Sequence, residues 1–360
     1  MRVPLAWLRE YCSPELSTTE IAERFDLTGT EVARIERVGV GDTEGFVVGR
    51  VLEAEPHPDA DVLTVHEAPL LEYLRTAWDE WAKAGLPDDP GQDRVVPYVF
   101  AHPGLTPHLT PTVPVATWAR PGYFAYDTMT LVGPGTYEAA RAAVDAALTA
   151  ADLVAAGGAP AAYACTRPPG HHVTRTVHGG SCYLNNAAAA AARLRTRTGG
   201  RVAVIDIDAH HGNGTQAIFY DRADVLTASV HVDPGAGWFP HFLGFATETG
   251  AGAGEGANRN VPLAPGAGDA EWLRAVDELA WFARDGHAEA LVVALGVDAA
   301  AGDPESPLQV TANGYRAAGR ALAALGLPTV LVQEGGYDLT TIGPLVRETL
   351  AGVQEGATRA

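Results

Sequence analysis

Residues 204–220 read VIDIDAHHGNGTQAIFY, a run in which acidic and imidazole side chains follow an apolar pattern typical of a strand. Because a strand alternates its faces at every residue, Asp206, Asp208 and His210 are predicted to share one side of it. Carboxylates and imidazoles bind divalent metal ions and transfer protons. The sequence therefore places three ligand-type side chains at one strand end.

Three further groups of chemically active residues follow other short apolar runs. His171 and His172 come after AAYAC, Asp298 comes after ALVVALG, and Tyr337 comes after TVLVQ. In open parallel sheets, ligands bind at the carboxyl edge of the strands because the connecting loops open a crevice there. We therefore interpret these groups as parts of a single site.

Asp208, His210 and Asp298 offer two carboxylates and one imidazole. This set suits a borderline ion such as Zn²⁺ with one position open for water or substrate, which is typical of a catalytic site. The sequence does not distinguish Zn²⁺ from Fe²⁺. Taken by itself, Asp298 would more often be a helix cap or a turn former.

The histidine pair and the tyrosine suit proton transfer beside such an ion. A lone histidine is usually a satisfied polar residue, but His171 and His172 are adjacent on a Pro-Pro-Gly turn, which favours acid–base catalysis. Asp206 is a candidate to orient one of the pair. Tyr337 follows two glycines; it is either a core tyrosine or a donor to an oxyanion, and its context favours the second.

Helical patterns and apolar strand runs alternate after residue 66 and would position these groups. The predicted helices cover residues 69–84, 136–156, 185–198, 270–285 and 313–325, and the predicted strands are AAYAC, VAVIDI, VLTASVHV, ALVVALG and TVLVQ. This alternation predicts an α/β fold with a doubly wound, mostly parallel sheet and helices on both faces. The proline-rich segment 86–127 lacks periodicity and is expected to be a rim loop or a dimer contact.

Composition limits the classes of partner. The 360 residues include 25 Lys and Arg against 44 Asp and Glu, a net charge of −19, so we expect neither nucleic acid nor anionic membranes as partners. Three cysteines without C-x-x-C spacing suit a reducing compartment. With no signal peptide and no long apolar run, a cytoplasmic location is expected.

The first 65 residues differ in character from the rest. MRVPLAWLREYCSPELSTTEIAERF, GTEVARIERVG and VVGRVLEAEPHPDADVLTV resemble the N-terminus of the phenylalanyl-tRNA synthetase β chain. The likeness stops near Val65, soon after the first strand of that family's oligonucleotide-binding barrel. Residues 1–65 are therefore predicted to form a small α/β appendage that is an incomplete synthetase-like segment.

Several motifs between residues 66 and 352 resemble the histone deacetylase and acetylpolyamine amidohydrolase superfamily. They are RPPGHH, GGSCYLNNAAAAA, DIDAHHGNGTQAIFY, SVHVDPGAGWFPHFLG, GVDAAAGDPESPL and QEGGYD. The resemblance implies the arginase-deacetylase fold for residues 66–360, without the strand and helix that usually begin this domain. It also implies a zinc-dependent amidohydrolase that releases acetate from an acetylated amine.

The resemblance assigns roles to the same residues. It implies that the three ligands already named bind the metal ion, that one of the histidine pair is the general base, and that Tyr337 stabilises the oxyanion. It also implies that Asp206 pairs with His171, and that Asn213 supports His172 where many deacetylases carry aspartate. An asparagine leaves His172 less biased toward its cation, which fits a base. The family also admits a monovalent cation.

Channel residues implied by the resemblance bear on the substrate. Phe239 would supply an aromatic wall, whereas Ser181 follows Gly180 where an aromatic is usual, which predicts a wider or wetter channel. Glu305 lies at a rim position that is usually apolar in peptide deacetylases. Its carboxylate would attract a cationic polyamine, or it is a solvated loop residue. The expected partner is an acetylpolyamine or an acetyl-lysine peptide, with a homodimer left open.

Other functions compete with this assignment. A histone-type lysine deacetylase is the main alternative. An arginase-like binuclear site would need further aspartates where Gly212 and Asn213 stand. An inactive chimera or a tRNA-contacting remnant would result if the synthetase-like segment had disturbed the domain, but the complete catalytic set favours an enzyme.

Overall fold

The computed structural model describes residue 21 and residues 54–88, 91–105 and 107–357. The synthetase-like segment predicted at 1–65 lies largely outside these residues, and so does the place of the family's first strand and helix. The boundary between residues 65 and 66 therefore stays a prediction.

Six parallel strands form the centre of the described domain. They are β1 (Ala161–Ala164), β2 (Val202–Asp206), β3 (Val225–Val232), β4 (Asn258–Leu263), β5 (Ala290–Leu295) and β6 (Thr329–Gln333). Their order is β1-β6-β5-β2-β3-β4, and each neighbouring pair is parallel. The predicted parallel sheet is confirmed, and β4 is a strand that the sequence patterns did not predict.

Helices cover both faces of this sheet. They are α1 (Asp59–Val62), α2 (Ala68–Lys83), α3 (Pro121–Phe124), α4 (Thr136–Ala155), α5 (Asn186–Thr198), α6 (Asn213–Phe219), α7 (Asp269–Asp285), α8 (Ala312–Ala323) and α9 (Ile342–Ala357). Helices α2, α4 and α5 pack in one hydrophobic core, and α7, α8 and α9 pack in another. The doubly wound arrangement is confirmed. None of the described helices combines the length and apolar character that a bilayer crossing requires.

Alternate residues of the strands divide between these two cores. In β2, Val202 and Val204 belong to the core that contains α4 and α5, whereas Ala203 and Ile205 belong to the core that contains α7 and α8. Both faces of the sheet are therefore buried, which explains why its inner strands read as nearly continuous apolar runs.

Helix α5 shows how local sequence sets an element beside the site. The side chain of Asn185 accepts a hydrogen bond from the backbone N–H of Ala188 at 2.9 Å and caps the first turn. Gly199 ends the helix in the left-handed region, at φ 75°. The alanines between them are buried, and their small side chains let α5 pack closely under the sheet.

Strand β2 ends earlier than predicted. It stops at Asp206, so Asp208 and His210 lie on a bend beyond the strand and not on one of its faces. The N–H of Asp208 donates to Asp206 Oδ1 at 3.1 Å, and the N–H of His210 donates to Asp208 Oδ1 at 2.8 Å. These carboxylates bind their own backbone in place of a strand ladder, which turns the chain at the sheet edge.

The described residues of segment 86–127 contain short helical turns, namely α3 and the 3₁₀ helices Pro103–Leu105 and Thr117–Ala119, and isolated β-bridges at Val95 and Ala125. Arg120 forms an ion pair with Glu80 of α2, which fastens the segment to the domain. Its irregular conformation agrees with the sequence analysis.

Candidate active site

Asp208, His210 and Asp298 come together at the carboxyl edge of the sheet. One ligand atom of each lies within 4.8 Å of the others. His210 Nδ1 lies 3.2 Å from Asp208 Oδ1 and 3.0 Å from Asp298 Oδ2. The bend after β2 carries the first two residues and the loop after β5 carries Asp298; because β2 and β5 are neighbours, the sheet order brings the three together.

Backbone N–H groups hold the two carboxylates. Gly335 donates to Asp208 Oδ2 at 2.7 Å, and Ala209 donates to Asp298 Oδ1 at 2.8 Å. Burial, reinforced by the charge of Asp208, raises the pKa of Asp298 to about 7. Two fully buried carboxylates that repel each other beside an imidazole fit a divalent cation, which would neutralise them.

His171 lies on the turn after β1 and faces a carboxylate. Its Nδ1 is 2.9 Å from Asp206 Oδ2, and both side chains are buried. Burial opposes a positive charge on the ring, but the charges of Asp206 and Asp208 outweigh it and raise the pKa of His171 to about 10. The structure thus brings Asp206 to His171 and favours an imidazolium there.

His172 has a neutral partner. Its Nδ1 lies 2.7 Å from Asn213 Oδ1, so the amide oxygen accepts the Nδ1–H of a neutral imidazole and leaves Nε2 able to accept a proton. Burial and the charges of His171 and His210 lower the pKa of His172 well below its usual range. The surroundings of the two adjacent histidines therefore favour opposite protonation states.

Tyr337 follows β6 and borders the open side of the site. Its ring centroid lies 6.3 Å from that of His210, and the residue is 42% exposed. Asp303 Oδ2 accepts the backbone N–H of Tyr337 at 2.9 Å, which fixes the loop. Desolvation, followed by the charges of Asp298 and Asp208, raises the pKa of Tyr337, so the phenol stays a hydrogen-bond donor at neutral pH.

An aromatic wall lies beside the histidine pair. The Phe239 ring contacts that of His172 edge-on, with centroids 4.8 Å apart, and stacks beyond it on Tyr126 at 6.3 Å. Gly180 lies against the same imidazole: a Cβ there would come within 2.3 Å of His172 Cδ2, and its φ of +60° also favours glycine. Ser181 is exposed next to it.

Glu305 lies on the exposed rim. Its backbone oxygen accepts the indole N–H of Trp238 at 3.1 Å. Its carboxylate is among the charges that raise the pKa of the Tyr337 phenol, after burial and the buried aspartates. The structure therefore brings this rim carboxylate into electrostatic range of the site.

Glu334, Cys182 and Asp303 are buried residues of the site that the sequence analysis missed. Glu334 Oε2 accepts the backbone N–H groups of Gly170 at 2.6 Å and His171 at 3.1 Å, and burial raises its pKa to about 7. Its position before Gly-Gly-Tyr at the end of β6 was the available signal. The other two residues sit within motifs that were noted, Cys182 in GGSCYLNN and Asp303 in GDPESPL.

Comparisons with known proteins identify the family of this chain. The family model for the histone deacetylase domain matches residues 23–353. The chain is 44% identical to the acetylpolyamine amidohydrolase of Mycoplana ramosa over 81% of the chain and 82% of that protein. It is 40% identical to acetylpolyamine amidohydrolase 1 of Pseudomonas aeruginosa over 87% of each.

A solved structure is similar as well. The crystal structure of acetylpolyamine aminohydrolase from Burkholderia pseudomallei matches with a TM-score of 0.79 and 39% identity, over 85% of this chain and 86% of that one. These comparisons do not support the synthetase resemblance, because the family match begins at residue 23, within the segment assigned to it.

Proposed function

Because the chain belongs to the histone deacetylase domain family and has the arginase-deacetylase fold, we propose that it is a zinc-dependent amidohydrolase acting on acetylated polyamines. The family match and the similarity to acetylpolyamine amidohydrolases support a deacetylase. The observation that carries the mechanism is the buried group Asp208, His210 and Asp298 beside two histidines whose Nδ1 partners differ, a carboxylate for one and an amide for the other.

Asp208, His210 and Asp298 would hold the ion through two carboxylates and one imidazole, with an open position for substrate. When bound, such an ion polarises the acetamide carbonyl and acidifies the attacking water. Zn²⁺ is favoured by this mixture of oxygen and nitrogen donors, and Fe²⁺ would suit the same ligands.

The chain's own residues then move the protons. Neutral His172 accepts a proton from the attacking water, because its Nδ1–H is held by Asn213 and its Nε2 is free. The Tyr337 hydroxyl donates to the oxyanion that forms on the former carbonyl oxygen. Cationic His171 donates a proton to the leaving nitrogen as the amide C–N bond breaks. Water is consumed, and acetate and a free amine leave.

The rim favours a cationic substrate. Glu305 carries an exposed carboxylate near Tyr337, and Ser181 leaves the wall beside Gly180 polar. An acetylated polyamine retains at least one ammonium group beyond the acetamide, and that group would lie where Glu305 can attract it. The net charge of −19 acts in the same direction.

We also propose that two copies associate through the irregular segment and that the protein works in the cytoplasm. Leu105, Leu109, Val115 and Trp118 are exposed apolar side chains on that segment, a pattern typical of interfaces. Cys165 and Cys182 are free thiols, which suits a reducing compartment. Light scattering of the purified protein tests the dimer.

The test is acetate release by zinc-loaded protein from N-acetylputrescine and from an acetyl-lysine peptide. We expect turnover with a higher kcat/KM for N-acetylputrescine, and a loss of about 10²–10³ in kcat for Tyr337→Phe. Glu305→Leu should lower kcat/KM for N-acetylputrescine and leave the value for the peptide unchanged. A higher kcat/KM for the peptide in the parent protein would instead assign a lysine deacetylase.

A further inference from the structure

A second group of side chains of metal-ligating types includes one of the catalytic histidines. A ring nitrogen of His171, the thiol of Cys182 and a carboxylate oxygen of Glu334 all lie within 4.8 Å of one another. The three residues are 2%, 0% and 6% exposed. We propose that this group, here called the thiol site, binds a second divalent cation of the thiophilic class, and that its occupancy inhibits the enzyme.

Glu334 supplies an oxygen that needs a partner. Its Oε2 accepts two backbone N–H groups, but its Oε1 is buried and has no hydrogen-bond partner among the described residues. Native structures rarely leave a buried carboxylate oxygen unpaired. A cation at Oε1 would pair it while Oε2 keeps both backbone hydrogen bonds.

The other two donors give the thiol site its selectivity. Cys182 is a free, fully buried thiol, and thiolate prefers soft or borderline ions such as Cd²⁺, Zn²⁺ and Cu⁺. The catalytic group, in contrast, contains no sulfur. The two groups therefore differ in chemical preference, and Cd²⁺ discriminates between them better than Zn²⁺ does.

His171 is already oriented as a metal ligand. Its Nδ1 faces Asp206 Oδ2 at 2.9 Å, which is the carboxylate–histidine arrangement that fixes the ring of a metal-binding histidine and leaves Nε2 as the donor. Nearby carboxylates add a negative potential, since the charges of Asp206, Asp208 and Glu334 all act on His171. A cation would take the place of the proton on this ring.

That exchange explains the expected inhibition, which rests on the proposed function. With a metal ion on His171, the ring has no proton to give to the leaving nitrogen. The Asp208, His210 and Asp298 ligands remain in place, so the catalytic ion is retained. The inhibition should therefore begin only after the first metal equivalent is bound, and it should lower kcat.

The test counts ions and detects the sulfur directly. Cd²⁺ is titrated into protein that holds one Zn²⁺, while native mass spectrometry gives the metal count and ultraviolet absorption reports the thiolate-to-cadmium charge-transfer band. We expect one Cd²⁺ to bind with Zn²⁺ retained, the band to appear with it, and deacetylation to fall over the same concentration range. Neither the count nor the band depends on the protein's activity.

Cysteine variants make the assignment specific. Cys12→Ser with Cys165→Ser leaves Cys182 as the sole cysteine of the chain and should keep both the band and the second ion. Cys182→Ser should lose both, and Glu334→Gln, which keeps an oxygen but loses the charge, should weaken Cd²⁺ binding at least tenfold.

Three results would overturn the proposal: no second ion, release of Zn²⁺ in exchange for Cd²⁺, or a band that survives in Cys182→Ser. Failure of the proposed function would look different, because the parent protein would then release no acetate at any metal concentration.

Discussion

At the scale of single residues, the two adjacent histidines differ in the group that their Nδ1 atoms contact. Asp206 faces His171 with a carboxylate, whereas Asn213 faces His172 with an amide oxygen. A carboxylate stabilises the imidazolium, and an amide oxygen accepts an N–H without adding charge. One residue of the pair is thus prepared to donate a proton and the other to accept one.

This difference predicts the pH dependence of an Asn213→Asp variant. The lowered pKa of His172 keeps the base neutral in mildly acidic solution. A carboxylate placed 2.7 Å from Nδ1 would raise that pKa. On acidification, the variant should therefore lose activity at a higher pH than the parent protein does. The log(kcat/KM) profile against pH measures this shift, and an unmoved acid limb would remove His172 from the role of base.

Glu334 is predicted to act as a positioning residue. Glu334→Leu leaves the N–H groups of Gly170 and His171 without their acceptor, so the turn that carries the histidine pair loses its support. We expect kcat to fall about 10–100-fold with little change in KM, as for other groups that orient active-site ligands. Glu334→Gln retains an acceptor oxygen and should recover most of kcat. An equal loss of kcat in both variants would mean that the negative charge of Glu334, and not its acceptor oxygen, is required.

The three candidate metal ligands could be predicted from the sequence, whereas the residues that support the site could not. Asp208, His210 and Asp298 follow recognisable apolar strands, so their meeting at one edge follows from the sheet. Glu334 and Cys182 also lie within motifs that were noted, but their roles depend on backbone groups and buried atoms far away in sequence. Gly170, which donates to Glu334, lies 164 residues away from it. No local pattern encodes such a contact.

At the scale of elements, the strands with apolar sequences were predictable and β4 was not. β5 is a continuous apolar run, and β3 and β6 are rich in valine; all three are buried throughout. β4 reads NRNVPL and carries two asparagines and a proline, which edge pairing tolerates but strand propensity disfavours. Helix α9 contains three glycines and a proline, and its burial against α8 outweighs that weak propensity.

An ionic cluster joins the segment around α1 to α4 and α5. Arg193 donates to Asp61 at 3.0 Å and to Asp152 at 2.7 Å, and Arg197 donates to the same Asp152 at 2.9 Å. His57 lies 3.4 Å from Asp152 as well. The segment PHPDAD is thereby tied to two helices of the domain.

This cluster predicts an acid-dependent loss of stability. Hydrogen bonds from Arg193 and Arg197 hold the pKa of Asp152 below its ordinary value of 3.8. The stabilisation is complete above that ordinary value and is lost as the pH falls toward the lower, folded-state pKa. Asp152→Asn should lower the free energy of unfolding by about 1 kcal/mol near neutral pH. Urea denaturation measures it.

Comparison across pH completes that test. The difference between Asp152→Asn and the parent chain should shrink as the pH falls below 3.8. The exposed Asp221→Asn serves as the matched control and should leave the free energy of unfolding unchanged. A constant difference between parent and Asp152→Asn at every pH would exclude the ionic origin.

At the scale of the whole molecule, the net charge of −19 predicts a salt effect on substrate capture. A negative field raises the encounter rate with a cationic acetylpolyamine, and the field is screened as the Debye length falls from about 30 Å at 0.01 M salt to about 8 Å at 0.15 M. We expect kcat/KM for N-acetylputrescine to fall several-fold over this range. A neutral acetamide substrate of similar length should show no such fall, and parallel curves would exclude steering.

The sheet order also has a consequence for how the protein is made. β1 leads to the histidine pair, and its only partner among the described strands is β6, which begins 165 residues after β1 ends (329 − 164). During synthesis, β1 therefore lacks this partner until residues 329–333, which lie in the last tenth of the chain, have left the ribosome. The same stretch supplies Gly335 to Asp208 and Glu334 to the catalytic turn. A nascent or truncated chain that stops before Thr329 would lack these supports, so hydrolysis begins only when translation is nearly complete.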